Sequence, residues 1–336
     1  MRLWDSYRMR LRRKRLLIRA VRKSTELTSV QDHTRAIARD DILLVCTMRN
    51  EQIRLPFFLQ YYRDMGIGHF LFVDNGSDDG SVDYLRGMKD VSIWQTNASY
   101  RRAGFGVDWM NYLKRKYAHG HWVLVADPDE FFVYPFSDTR PIRALTDWLD
   151  NSEIRSFGAM LIDVYPKGRI DAEPYQAGQD PLEIAHWFDS GNYTITRNQK
   201  YTNLWIQGGP RSRGFFPDEP EKAPALNKIP LVKWDRRYAY VSSTHMLLPR
   251  GLNRVYEEGG GEKASGVLLH AKFLDTFGAK AAEELQRSEH YAASVEYKAY
   301  ADRLKDDPQL WCKWSERYIN WRQLEILGLM SKGNWA

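Results

Sequence analysis

Cysteine is scarce in this sequence, which limits the kinds of site that the chain can hold. Only two of the 336 residues are cysteines, Cys46 and Cys312, and their separation does not suit a shared metal ion. Cys46 lies within an apolar run, so we expect a buried thiol there. So low a count is typical of a reducing compartment, and the expected location is the cytoplasm.

Long apolar stretches are also missing. No run approaches the roughly 18 apolar residues that a membrane-spanning helix requires. The basic N-terminus has neither the apolar segment nor the small-residue cleavage site of a secretory signal. We therefore expect a cytoplasmic protein that does not cross a membrane, although it could lie peripherally at the inner face of one.

Positive charge is concentrated at one end of the chain and is lacking elsewhere. The formal net charge is +6, but residues 1–23 hold ten lysines and arginines against one acid, Asp5, so the other 313 residues carry a net charge of −3. Domains that bind nucleic acid usually spread basic side chains over their folded surface. No nucleic-acid partner is therefore expected.

The basic arm has the periodicity of an amphipathic helix. Its apolar residues recur at helical spacing at Leu3, Tyr7, Leu11, Ile18 and Val21, with arginines filling other positions. Such a helix can lie on an anionic membrane surface, with its apolar side among the lipid headgroups. A solvated tail and a helix docked on a neighbouring subunit are equally open.

From residue 42 onward, short apolar strands alternate with amphipathic segments. Strands are predicted at 42–47, 70–73, 91–95 and 122–126, with helices between them at 53–65, 81–88 and 105–118. This alternation predicts an α/β fold with a doubly wound sheet. Beyond residue 150 the pattern is weaker: strands are predicted at 157–164, 238–244 and 267–274 and helices at 279–304 and 314–330, whereas 166–230 has no clear helix until late.

Polar side chains follow three of these strands where each strand ends. They are Thr47, Arg49, Asn50 and Glu51 after the first, Asp74 and Asn75 after the second, and Asp127 and Asp129 after the fourth. Ligands of doubly wound sheets bind beyond the carboxyl ends of the strands, where the loops converge. These residues therefore predict a binding site.

Asp127-Pro128-Asp129-Glu130 is the strongest local signal. Two carboxylates in an extended turn can direct oxygens at one hard cation, and Mg²⁺ or Mn²⁺ prefers a few carboxylates together with phosphate oxygens. Such an ion neutralises the charge that develops on a departing diphosphate. The alternative is a turn whose aspartates only cap a helix or face solvent.

The segment from Asp74 to Ser81 allows two interpretations at once. Its carboxylate and amide groups can accept hydrogen bonds from a base or a ribose. Asn-Gly and Asp-Gly pairs are also typical of tight turns, and Ser or Asp caps helices.

Three elements in this order resemble the GT-A glycosyltransferases of the family 2 type, in particular the branch with family-92-like and bacterial polysaccharide enzymes. They are Thr47-Met48-Arg49-Asn50-Glu51, the 74–81 turn and the 127–130 turn. The resemblance covers residues 42–150 and extends more loosely to about residue 330, for example through Leu269-His270-Ala271-Lys272-Phe273. It implies a GT-A type mixed sheet, a nucleotide-sugar donor with a UDP-sugar favoured, a saccharide acceptor, and Mn²⁺ or Mg²⁺.

The resemblance also implies roles for individual residues. Thr47, Asn50, Glu51, Asp74 and Asn75 are expected to line the nucleoside pocket, beside Arg49. Asp127 and Asp129 are expected to hold the metal on the diphosphate, with Asp129 as the more direct ligand. His270 is expected to complete the site, with His245 as second choice. The cations expected to pair with phosphate are Lys228, Arg211 and Arg213, since arginine offers a forked donor and lysine a point charge.

A transfer with inversion, which the resemblance favours, needs a general base for the acceptor hydroxyl. The sequence lacks the acidic pair usual in the family. Glu289 and Asp163 are the candidates, with Asp218 and Asp275 as further possibilities.

The predicted organisation is a basic arm (1–40), a nucleotide-sugar-binding half (41–150), an acceptor-binding half of the same domain (151–275) and a helical segment (276–336). A dehydrogenase is excluded because the turn after the first strand lacks Gly-x-Gly-x-x-Gly. A nucleotidyltransferase that makes a sugar nucleotide is the main alternative, although the glycine-rich basic loop usual after its first strand is missing. A non-catalytic carbohydrate-binding protein is the other.

Overall fold

The computed structural model describes residues 3–256, 263–287, 289, 300 and 309–335. The elements of the first half are α1 (Leu3–Lys23), β1 (Thr28–Gln31), β2 (Leu43–Met48), α2 (Leu55–Met65), β3 (His69–Asp74), α3 (Ser81–Leu85), β4 (Val91–Gln95), α4 (Val107–Tyr117), β5 (Trp122–Val125), β6 (Glu130–Val133) and α5 (Ile142–Asn151). The predicted strands and helices between residues 42 and 126 are confirmed, with ends shifted by up to three residues.

The second half contains shorter and less regular elements. They are β7 (Ser156–Tyr165), α6 (Pro181–Ile184), β8 (Trp187–Asp189), β9 (Tyr193–Asn198), β10 (Asn203–Gly208), α7 (Gly209–Phe215), β11 (Asn227–Lys233), β12 (Ala239–Ser242), β13 (Met246–Leu248), β14 (Gly266–His270), α8 (Phe277–Arg287), β15 (Ser315–Arg317) and α9 (Trp321–Ile326). Single 3₁₀ turns occur at Ser24–Glu26, Thr34–Ala36, Pro220–Lys222 and Arg250–Asn253.

Eleven strands form one mixed sheet. Its order is β1-β4-β3-β2-β5-β11-β7-β14-β6, and β8 and β15 extend from β7. Strands β4, β3, β2 and β5 are parallel, whereas β11 is antiparallel to both β5 and β7. Since β14 is parallel to β7, the ends of β2, β3, β4, β5, β7 and β14 meet at one edge. The predicted α/β fold class with a doubly wound mixed sheet is confirmed.

Apolar side chains cover both faces of this sheet. On β2, Leu44, Cys46 and Met48 pack into one core cluster, and Leu43 and Val45 pack into another on the opposite face. Strands that are buried on both sides read as continuous apolar runs, which is why this strand was recognisable in the sequence. The expected burial of the Cys46 thiol is confirmed.

Two predictions for the second half are wrong in part. The helix expected at 314–330 is replaced by β15, which pairs with β8, and by the short helix α9. The local pattern does not reveal β15, because its partner strand lies far away in the sequence. The strand expected at 267–274 is shorter than expected, since β14 spans only Gly266–His270. The helix expected at 279–304 is confirmed over α8, Phe277–Arg287. The rest of that prediction, except residues 289 and 300, lies outside the described residues.

The basic arm forms the predicted helix α1, which is docked on the body of the protein. Its Ala20 is fully buried, and Arg19 Nε lies 2.6 Å from Asp108 Oδ2 on α4. Within the described residues, no helix is both long enough and apolar enough to cross a membrane.

Candidate functional site

The Asp127–Asp129 turn joins β5 to β6 and is fixed by backbone hydrogen bonds. Glu130 N donates to Asp127 O (2.9 Å), and Ala271 N, just after β14, donates to Asp129 O (2.8 Å). The turn is thereby held beside the carboxyl end of β14. The two aspartate side chains differ in exposure, since 52% of the Asp127 side chain is open to solvent against 18% of Asp129.

His270, the last residue of β14, faces Asp129. Its Nε2 lies 3.2 Å from Asp129 Oδ2, and its Nδ1 lies 2.7 Å from Asp163 Oδ1 on β7. The parallel register of β14 and β7 places His270 directly opposite Asp163. Arg211 on α7 then donates two hydrogen bonds to Asp163, at 2.8 and 2.7 Å. Four predicted site residues therefore form one connected chain.

Among these four side chains, the opposite charges affect the pKa values more strongly than burial does. Burial alone would raise the pKa of Asp163, but Arg211 and His270 hold that pKa well below its usual range. Asp129 behaves in the same way, with His270 as the main opposing cause. Burial would lower the pKa of His270, yet Asp129 and Asp163 raise it. A buried carboxylate with so low a pKa is unsuited to act as the general base expected at Asp163.

Asp127 belongs to a second charged group, with Glu130 and Lys228. The buried Lys228 Nζ contacts Glu130 Oε1 and lies 3.8 Å from Asp127 Oδ2. Burial raises the pKa of Asp127 to about 7, although about half of the side chain is accessible. The negative charge of Glu130 adds to this rise, and the positive charge of Lys228 opposes it. Lys228 therefore supplies positive charge at the turn while already paired with a buried carboxylate.

The Asp129–His270 pair fits a divalent ion. Adjacent ligands of an octahedral ion with bonds of about 2.1 Å lie about 3 Å apart, and the observed separation of the two atoms is 3.2 Å. The described residues contain no group of three or more Asp, Glu, His or Cys side chains arranged to hold a metal ion. An ion here would take the pair alone and would depend on phosphate oxygens or water for its other ligands.

A polar cavity of about 380 Å³ opens at the ends of β2, β3 and β4. It is lined by Arg49, Asn75, Asn97, Ala98, Ser99, Arg287 and Glu289. The Asn75 amide donates to the carbonyls of Thr96 and Ala98 (3.1 and 3.0 Å) and accepts from Arg287 (3.1 Å). Two predicted donor-binding residues, Arg49 and Asn75, thus line one cavity. Asn97, Ser99 and Arg287 were not predicted because they lie outside the three motifs.

Thr47 and Asp74 have different surroundings. The buried Thr47 Oγ1 has no hydrogen-bond partner among the described residues. Asp74 is fully buried, and it accepts hydrogen bonds from the Gly76 and Ser77 amides and from Gln95. The turn interpretation therefore accounts for Asp74, whereas Thr47 retains an unused polar group.

Helix α8 covers the predicted donor residues at the end of β2. Glu283 Oε1 accepts from Arg49 Nε (2.8 Å) and from Asn50 Nδ2 (3.1 Å). Lys280 pairs with the buried carboxylate of Glu51. No local sequence pattern predicts these contacts, because more than 220 residues separate the partners.

The remaining candidates lie away from the Asp129–His270 pair. Glu289 accepts hydrogen bonds from Ser99 Oγ (2.7 Å) and Arg101 N (2.9 Å) at the polar cavity, which suits donor binding better than the catalytic role expected. His245 lies 2.6 Å from the Asn227 carbonyl, and Arg213 pairs with Asp189 (2.7 Å).

Within the part of the chain that the structure describes, the other two candidate bases make no contact with the Asp129–His270 pair. Asp275 accepts from Tyr175 N (3.1 Å). Asp218 is exposed in a turn.

No protein-family model matches this chain, and no curated protein matches it. The solved structures to which this chain is similar include the following two. One is a 4-diphosphocytidyl-2C-methyl-D-erythritol synthase, 16% identical over 43% of this chain and 67% of that chain, with a TM-score of 0.27. The other is a Bacillus anthracis protein named as a glucose-1-phosphate thymidylyltransferase, solved with sucrose, 9% identical over 86% of this chain and 95% of that chain, with a TM-score of 0.30.

Proposed function

We propose that this chain is a metal-dependent glycosyltransferase that moves a sugar from a nucleoside-diphosphate sugar, with a UDP-sugar favoured, to a saccharide acceptor. The observation that carries the proposal is the contact of Asp129 with His270, 3.2 Å apart. It lies at the same sheet edge as the polar cavity formed by Arg49, Asn75 and their neighbours.

Each part of this edge suits one part of the donor. The polar cavity would hold the nucleoside. Asp129 and His270 would hold Mn²⁺ or Mg²⁺, which when bound neutralises the charge that develops on the diphosphate. Asp163 and Arg211 fix the ring of His270, as the outer partners of metal ligands generally do. Lys228 adds positive charge beside Asp127.

The loop after β2 favours glycosyl transfer over nucleotidyl transfer. A nucleotidyltransferase would be expected to use a glycine-rich loop here, whose free amides bind phosphates. Residues 49–54 contain no glycine. Asn50 N and Glu51 N already donate to Ser77 Oγ and Ser81 Oγ, both at 2.9 Å.

Product analysis separates the two reactions. The full chain would be incubated with a panel of nucleotide-sugars, Mn²⁺ and mixed saccharide acceptors, and the released nucleotide identified. We expect a nucleoside diphosphate. Formation of pyrophosphate from a nucleoside triphosphate and a sugar phosphate would establish nucleotidyl transfer instead.

Calorimetry with UDP tests the metal directly. We expect binding of UDP that requires Mn²⁺. Binding that is independent of metal, or no binding of any nucleoside diphosphate, would contradict the proposal. Metal-dependent binding without turnover of any donor would favour a non-catalytic protein.

A further inference from the structure

Helix α1 has one face that is covered by the body of the protein. Ala20 is fully buried, and Arg19 pairs with the buried Asp108 of α4 at 2.6 Å. The Arg12 guanidinium lies over the Tyr201 ring, 5.4 Å from its centre. These contacts fix the rotation of α1 about its own axis, so its opposite face has a defined direction.

The opposite face carries an apolar stripe that faces solvent. Trp4, Tyr7 and Ile18 are 68%, 50% and 53% exposed. With about 3.6 residues per turn, these three and the half-buried Leu11 fall within one narrow strip along the helix. The rings of Trp4 and Tyr7 stack with their centres 5.8 Å apart, which joins the two into a single apolar surface.

Basic side chains border this stripe on both sides. By helical position, Arg10 and Lys14 lie on one side, and Arg8 and Arg15 lie on the other, all of them exposed. An apolar strip with an aromatic residue at one end and a cationic border on each side is the arrangement of helices that lie in the plane of a membrane surface.

We propose that the outer face of α1 is a docking surface for an anionic lipid bilayer, which it meets with the helix parallel to the membrane plane. The charge of residues 1–23, ten cationic side chains against one acid, complements an anionic leaflet. A second copy of the chain would bring the same positive charge to the interface. A nucleic acid would pair with the arginines but would leave Trp4, Tyr7 and Ile18 in water.

Co-sedimentation of the full chain with vesicles tests this surface. Vesicles of phosphatidylcholine alone would be compared with an equal mixture of phosphatidylcholine and phosphatidylglycerol, at low and high salt. We expect binding to the anionic vesicles only, weakened by salt because counterions screen the attraction.

Two variants separate the apolar and the charged contributions. Replacing Trp4, Tyr7 and Ile18 together by serine should weaken binding to anionic vesicles by at least about tenfold. K14E together with R15E should weaken it by about fivefold or more for each residue. The matched control is Trp314→Ser, which removes another exposed tryptophan, 72% accessible, and should leave binding unchanged.

Three results would overturn the proposal. One is equal binding to neutral and anionic vesicles, and another is unchanged binding of the triple serine variant with its circular dichroism spectrum intact. The third has two parts: RNA displaces the bound vesicles, and the triple serine variant binds RNA as tightly as the unmodified chain does. This result would assign α1 to nucleic acid.

Discussion

Asp127 and Asp129 lie on one turn, but among the described residues only Asp129 has a histidine partner. The carboxylate of Asp129 is poised beside His270 and is kept charged by it. Asp127 instead points toward solvent near Lys228. At the scale of single residues, the two aspartates of this turn are therefore different chemical groups.

Asp129→Asn should remove the metal-dependent binding of UDP. The amide keeps the shape of the side chain but loses the charge that a divalent ion requires, so affinity measured by calorimetry with Mn²⁺ should fall by more than about 100-fold. Asp83→Asn, at a carboxylate with 78% exposure, should bind normally. Wild-type affinity in the Asp129 variant would show that the ion, if any, binds elsewhere.

Asp163→Asn should weaken metal binding through His270. The asparagine holds the imidazole of His270 less firmly and no longer neutralises the positive charge of Arg211. The loss of such a partner lowers metal affinity by roughly 10–100-fold. Asp189→Asn is the matched control, because it also deprives a partly buried arginine, Arg213, of its carboxylate. Both variants should lose stability. Equal Mn²⁺ affinity in the two would reduce Asp163 to a structural role.

Lys114 is a buried cation whose replacement should stabilise the protein. Its Nζ lies 4.0 Å from the centre of the Tyr240 ring and 4.5 Å from that of Trp234. It has no hydrogen-bond partner among the described residues, and burial lowers its pKa well below the usual value. Each unit of such a shift costs about 1.4 kcal/mol of folding free energy when the unfolded lysine is charged.

Because the folded state binds the Lys114 proton more weakly than the unfolded state, this cost grows as the pH falls below about 10. Lys114→Met should therefore raise the free energy of unfolding at pH 7 by about 1 kcal/mol or more, and less at pH 10, measured by urea titration. Lys332→Met, at an exposed side chain, is the control. Destabilisation at both pH values would mean that the ring contacts outweigh the burial.

At the scale of elements, α8 acts as a cover over the end of β2. Three of its residues, Lys280, Glu283 and Arg287, contact predicted donor-binding residues. For Arg49 to reach a diphosphate, its ion pair with Glu283 has to open. The helix thus competes with the proposed donor for the same side chains.

Glu283→Gln should therefore strengthen UDP binding. Without the negative charge, Arg49 and Asn50 are freer and the diphosphate meets less repulsion. The affinity should therefore rise by up to about fivefold, the contribution of one ion pair near the surface. Calorimetry with Mn²⁺ measures the change. Gln286→Ala, at an exposed position of the same helix, should have no effect. A fall in affinity would mean that Glu283 supports the donor instead.

The elements that could be predicted from the sequence are those whose pattern is local. Buried parallel strands such as β2 and β3 give apolar runs, and the polar residues after them mark the edge where ligands bind. β11 escaped prediction because it enters the sheet antiparallel between two strands from distant parts of the chain. The contacts of Glu283 with Arg49 and of Asp163 with His270 could not be predicted for the same reason, because the partners are far apart in the sequence.

At the scale of the whole molecule, one sheet joins the two predicted halves of the domain. β11, from the second half, is the only element between β5 of the first half and β7 in the described sheet order. β6 of the first half likewise ends the sheet beside β14 of the second. Neither half can complete its hydrogen-bonded strands alone.

A fragment that ends at residue 155 should therefore fail to fold cooperatively. Its β5 would expose an unpaired apolar edge, which favours aggregation, and the turn at Asp129 would lose its tie to Ala271. The full chain should melt in a single transition, with circular dichroism and tryptophan fluorescence coinciding. Coexpression of the fragment with residues 156–335 should restore a soluble complex. Reversible cooperative melting of the fragment alone would show that the first half is an independent domain.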